Sequence, residues 1–275
     1  MKYSGFTPLN LNTTSDGMLT KRIIRDSSNN SILYLDKTGE LYKKRFSNIE
    51  PVVEVICYNI AKYLGLNCAE YKLLSMSFDS NTYWVKQDAL ICRSTWFLGS
   101  YDTMISFKDL LNTSCANTRL YYMFISKFDK FRKDIDNLIL FDYLINNTDR
   151  HHRNLGIIKN ECTGNIRFAP LFDHGSSLGA DIDDDFLECV MDESCIDIDY
   201  DLEDNLYNVD ISKLFCHSNK LQLDLIEYTG LLKDKRLKDI LNILDEYKCY
   251  FSDYRFKFMC ELLIDRFQYL KRRFE

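Results

Sequence analysis

The chain has 275 residues, 35 Lys and Arg against 41 Asp and Glu, a formal net charge of −6 and a pI near 5.4. With 46% hydrophobic and 28% charged residues, 3 prolines and 10 glycines, it reads as a folded globule, which excludes disordered, collagen-like and linker-rich chains. No apolar run approaches the roughly 18 residues of a membrane span, and the first residues form no signal-peptide apolar segment. The expectation is a cytoplasmic protein with no membrane partner, and the acidic balance argues against a nucleic-acid partner.

The first ninety or so residues read mainly as strands. Ser31–Leu35 and Glu40–Phe46 flank Asp36-Lys37-Thr38-Gly39, a hairpin signal. A helix follows, with Pro51 in its first turn, an apolar stripe of Val52, Val55, Ile56, Ile60 and Leu64, and Gly65 as its stop. Tyr71–Phe78 and Tyr83–Cys92 read as two more strands. After about residue 98 the pattern turns helical, over 117–130, 134–147, 236–248 and 251–272. A small strand hairpin, Leu155–Ile158 with Ile166–Phe168, interrupts the helices. The sum is an α+β chain: residues 1–98 as a strand-rich lobe with one helix, and 99–275 as a mainly helical lobe.

The ten cysteines contain no Cys-x-x-Cys pair, and several, such as Cys57 and Cys260, sit inside apolar helical patterns. They read as reduced thiols, and zinc-ligand spacings are missing. Charge is unevenly spread. Residues 181–210 hold 13 Asp or Glu and no Lys or Arg, so the rest of the chain carries +7. That surplus suits a site for polyphosphate, and the acidic stretch suits a basic substrate or partner as much as it suits a solvated loop.

The chemistry gathers where a predicted helix gives way to a hairpin. Asn146-Asn147-Thr148-Asp149-Arg150-His151-His152-Arg153-Asn154 leads into the hairpin, and Ala169-Pro170-Leu171-Phe172-Asp173-His174-Gly175 leaves it. Helix, loop and hairpin can bring Asp149, Asn154 and Asp173 to one point. Phosphoryl transfer needs such a set: one carboxylate to orient the nucleophile, and an Asn oxygen with a second carboxylate for Mg²⁺ on the nucleotide phosphates. The plainer readings are a polar loop that caps a helix, or a metallohydrolase cluster of Asp149, His151, Asp173 and His174.

The run from Leu144 to Leu155, joined to Ala169–Asp173, resembles the HipA-like serine/threonine kinases and shares an Asp-Arg-His-x-x-Asn pattern with phosphatidylinositol kinases. The Ala-Pro-Leu-Phe-Asp approach to Asp173 is similar to the HipA-like side. The resemblance implies a bilobal protein-kinase-like fold and an ATP- and Mg²⁺-dependent transfer of the γ-phosphate to protein Ser or Thr. By resemblance Asp149 is the catalytic aspartate, Asn154 and Asp173 are the magnesium ligands, and His151 braces the loop. It also implies a lysine for the phosphates, Lys43 with Lys44 as the fallback, positioned by Glu54.

No Gly-rich phosphate loop precedes Ile32; Asp26–Ser31, with Ser28 and Asn30, stands in its place, where Ser/Asn backbone N–H groups can cradle phosphate. A serine there is also a candidate for self-phosphorylation, as in some relatives. The chain lacks room for the extra N-terminal subdomain of full-length HipA and looks like the compact stand-alone relatives. Its residues do not name an antitoxin-like partner. A small-molecule or lipid kinase and a catalytically silent nucleotide-binding module remain open as alternatives.

Overall fold

A computed structural model describes residues 7–8, 21–26, 28–29, 32–42, 45–78, 87–111, 128–150, 153–191, 226 and 229–274. Strands β1 (Thr7–Pro8), β2 (Lys21–Arg25), β3 (Leu33–Thr38), β4 (Leu41–Tyr42) and β5 (Arg45–Phe46) precede helix α1 (Ile49–Leu64). Then come β6 (Tyr71–Phe78), β7 (Gln87–Thr95), β8 (Asp102–Ser106), α2 (Phe107–Leu111) and α3 (Arg132–Leu144). Strands β9 (Gly156–Asn160) and β10 (Ile166–Phe168) and helices α4 (Asp184–Met191), α5 (Leu237–Asp245) and α6 (Asp253–Phe274) complete the order. The described chain is thus strand-rich in its N-terminal part and helical towards its C-terminus.

The main sheet has the order β1-β2-β3-β7-β6, and a second sheet has the order β10-β9-β8. The expected turn at Asp36–Gly39 is a correction: β3 runs through Asp36, Lys37 and Thr38. Lys37 pairs with Lys21 of β2 on one side and Cys92 of β7 on the other. Pairing on both edges overrides the local turn signal of Asp-Lys-Thr-Gly. Strand β8 was not expected; its polar residues pair with β9, Asp102 opposite Asn160 and Ser106 opposite Gly156. The predicted helix over 117–130 falls largely outside the described residues, as do Tyr83–Lys86 of the predicted strand that became β7.

Helix α1 lies between the main sheet and the helices. Val52, Val53, Ile56 and Ile60 join one core with Ile135, Leu138, Ile139 and Leu263, whereas Val55 packs with Ala69, Tyr71 and Cys92 towards the sheet. Burying each of these aliphatic side chains stabilises by at most about 1.5–3 kcal/mol. Gly65, at φ 81°, stops the helix, and the Leu66 N–H reaches back to the Ala61 carbonyl at 2.9 Å. Among the described residues no helix is long and apolar enough to cross a membrane, and the described cysteines are free thiols.

Candidate active site

The loop carrying Asp149 begins where α3 ends. Asn146 takes a left-handed conformation, φ 52°, which Asn tolerates better than most residues. Its neighbour Asn147 accepts the Asp149 N–H at 3.1 Å and donates its side-chain amide to Asp142 of α3 at 3.1 Å. Asp142 is fully buried, and Arg150 binds it through Nε at 2.7 Å and a terminal nitrogen at 3.0 Å. The same guanidinium donates to the carbonyl oxygens of Asn154 at 3.1 Å and Phe172 at 2.7 Å, and to His174 Nδ1 at 2.9 Å. One buried arginine therefore ties the helix end, the loop and the segment around Asp173 together.

His174 must accept from Arg150, because arginine only donates. Its Nδ1 is then unprotonated, and Nε2 carries the proton 3.8 Å from the Cys68 sulfur. Burial, with the Arg150 charge beside it, pushes the His174 pKa down to about 3, so the ring is neutral. A neutral, fully buried imidazole here holds structure and moves no proton.

Asp173 arrives on a segment stitched to the chain just after α1: the Ala69 N–H donates to the Leu171 carbonyl and the Leu171 N–H to the Asn67 carbonyl, both at 2.8 Å. Asp173 itself is left-handed, φ 65°, an uncommon state for a residue other than glycine. It is held there by Tyr71, whose hydroxyl accepts the Asp173 N–H at 3.3 Å, and by Glu54, whose Oε1 accepts the His174 N–H at 2.9 Å. Strain kept in this way is common at functional sites.

Glu54 uses its other oxygen for Lys37, at 3.4 Å, and Lys37 also forms an ion pair with Asp173. Burial works against the Lys37 charge, but Asp173 and Glu54 outweigh it and raise its pKa. Burial likewise works against the Asp173 carboxylate, and Lys37 more than offsets it, so its pKa is lowered. The pair is therefore ionised. The Asp173 side chain keeps 29% exposure, open enough to meet a ligand.

Asn154 is 8% exposed, and its side-chain nitrogen has no hydrogen-bond partner among the described residues. A buried orphan N–H group calls for an acceptor, which a phosphate oxygen would supply. The Asn154 side-chain oxygen and one carboxylate, on segments joined by Arg150, fit Mg²⁺, which keeps most of its oxygens from water and phosphate. Among the described residues no cluster of three or more His, Cys, Asp or Glu side chains offers a dedicated metal cage.

The other expected residues fall out as follows. Asp149 is exposed, two residues beyond Asn147. His151, Asn30, Lys43 and Lys44 lie outside the described residues. Among the described residues, the lysine set against Glu54 is Lys37, where Lys43 was expected. Ser28 is exposed, and both its N–H and its hydroxyl donate to Asp26, at 2.8 and 2.6 Å. The Asn29 N–H donates to the same carboxylate at 3.2 Å, so these two donors of the expected phosphate cradle are engaged, while Ser27, Asn30 and Ser31 lie outside the described residues. Asp142, Arg150 and Lys37 were not expected at all. Alternation was the signal for Lys37: Leu33, Leu35 and Lys37 share one face of a strand.

A main sheet packed on one helix, a helical remainder, and a Lys–Glu–Asp triad beside an Asp-x-x-x-x-Asn loop define a protein-kinase-like fold. The model of the HipA-like C-terminal domain matches residues 13–195, and the chain belongs to that family. Among solved structures, the Helicobacter pylori proinflammatory kinase CtkA is similar with a TM-score of 0.67 and 19% identity over 90% of each chain. HipA of the Shewanella oneidensis MR-1 toxin–antitoxin system, solved with HipB and operator DNA, is similar with a TM-score of 0.52 and 12% identity. That match covers 98% of this chain and 67% of that one. No curated protein matches the chain.

Proposed function

We propose that the protein is a kinase that transfers the γ-phosphate of ATP, held with Mg²⁺, to serine or threonine hydroxyls of protein substrates. The observation that carries this reading is the Glu54–Lys37–Asp173 chain of ion pairs set beside the loop that holds Asp149 and Asn154. Residues 1–98 are then the nucleotide-binding lobe and 99–275 the catalytic lobe.

Lys37, oriented by Glu54, meets the phosphates. Asp173 and the Asn154 side chain would hold Mg²⁺, which when bound supplies charge neutralisation on the phosphate oxygens. Asp149 accepts a hydrogen bond from the substrate hydroxyl and aims it for in-line attack. Arg150 keeps the two segments in register and excludes water from beneath them. The acidic stretch 181–210, which follows the Asp173 segment in the chain, favours a basic protein substrate.

Incubation with radiolabelled ATP, Mg²⁺ and a basic protein tests the reading. Label is expected on protein with the wild type, and a drop of about 10²–10⁴-fold with Asp149→Ala. Undiminished transfer by that variant would sink the assignment. Nucleotide binding without turnover would favour the silent module, which the Asp26 contacts with Ser28 and Asn29 also favour; label on small molecules alone would favour a metabolite or lipid kinase.

A further inference from the structure

Strands β2 and β3 pair with Lys21 directly opposite Lys37, so both lysines leave the sheet on the same face. Like charges opposite one another destabilise a strand pair. Lys37 is neutralised by Glu54 and Asp173. Lys21 is partly buried, and among the described residues it makes no ion pair and no side-chain hydrogen bond. Burial lowers its pKa, and the pull of Asp173 upward is opposed by the push of Lys37. Its charge is kept at a disadvantage on the face it shares with Lys37. An anion would remove that disadvantage, and among the described residues of the loop between β2 and β3 Asp26 already engages the N–H groups of Ser28 and Asn29.

We propose that Lys21 is a second phosphate-binding cation, which acts with Lys37 on the outer phosphates of a nucleoside triphosphate. It takes the place of the Ser28 and Asn29 backbone donors that Asp26 engages. The ligand class follows from position: Lys21 shares its face of the sheet with Lys37, which pairs with the carboxylate that would carry the metal, so it reads the outer phosphates and ignores the base. This inference rests on the kinase reading of the same site.

Calorimetric binding of MgATP and of AMP to wild type, Lys21→Met and Lys21→Arg tests it, together with the melting temperature of each ligand-free protein. One charge-assisted contact corresponds to about a tenfold change in affinity or somewhat more. Lys21→Met is expected to bind MgATP about tenfold more weakly and AMP as wild type does, while Lys21→Arg restores most of the loss. The ligand-free melting temperature of Lys21→Met is expected to stay level or rise, the reverse of what losing a structural residue does.

MgATP binding by Lys21→Met at the wild-type level would overturn the proposal while leaving the kinase reading intact. So would a parallel loss of stability and of both ligands. Failure of the wild type itself to bind MgATP would remove the kinase reading and this inference with it.

Discussion

On one face of β3, Asp36 sits between Arg22 and Arg93; on the other, Lys37 sits between Glu54 and Asp173. Both are chains of three charges, yet they are built for different ends. Asp36 is 3% exposed and receives Arg22 through Nε and a terminal nitrogen at 3.0 and 2.9 Å, and Arg93 likewise at 2.6 and 2.9 Å. Planar guanidinium forks saturate the carboxylate and leave nothing for a ligand to displace. Lys37 is a point charge, and one of its two partners is partly open to solvent. Saturation locks β2, β3 and β7 together. An exchangeable partner makes a site.

That contrast can be broken by substitution. Lys37→Met should lower phosphoryl transfer by the folded protein about 10²–10³-fold and also lower the melting temperature, since it leaves buried Glu54 and Asp173 without their shared cation, measured by label incorporation and thermal denaturation. A larger loss from Lys43→Met than from Lys37→Met would return the phosphate-binding role to Lys43. Asp36→Ala strands two arginines, one of them buried, and should cost about 3–5 kcal/mol in urea unfolding. The folded fraction should keep its nucleotide affinity; a loss there would mean that the two faces are not separable. Arg22→Ala should be the mildest change. Its side chain is 38% exposed and Arg93 remains on Asp36, so about 0.2–1 kcal/mol is expected from the same unfolding curves.

Much of this was legible before any coordinates. Helix α1, its glycine stop, the hairpin of β9 and β10 and the paired C-terminal helices follow from local periodicity and turn chemistry. Asp149, Asn154 and Asp173 could be nominated from the sequence because they lie on short loops whose spacing is itself the signal. Lys37 was hidden because Asp-Lys-Thr-Gly has the chemistry of a turn and becomes strand only when β2 and β7 flank it. Strand β8 was hidden for the same reason, being polar and dependent on β9. Asp142 gave no signal either, since nothing local distinguishes a helix aspartate aimed at a distant arginine from one aimed at water. Pairing across long sequence separations is where local patterns stop.

Arg150 has a consequence for motion. Its contacts reach Asp142 in α3, the Asn154 carbonyl before β9, and Phe172 and His174 on either side of Asp173. None of these segments can swing out alone without stranding a fully buried guanidinium. The loop and the Asp173 segment therefore open as one cooperative unit, with amide protection lost together rather than piecemeal. A site assembled in this way is either whole or absent, with no half-formed state between the two.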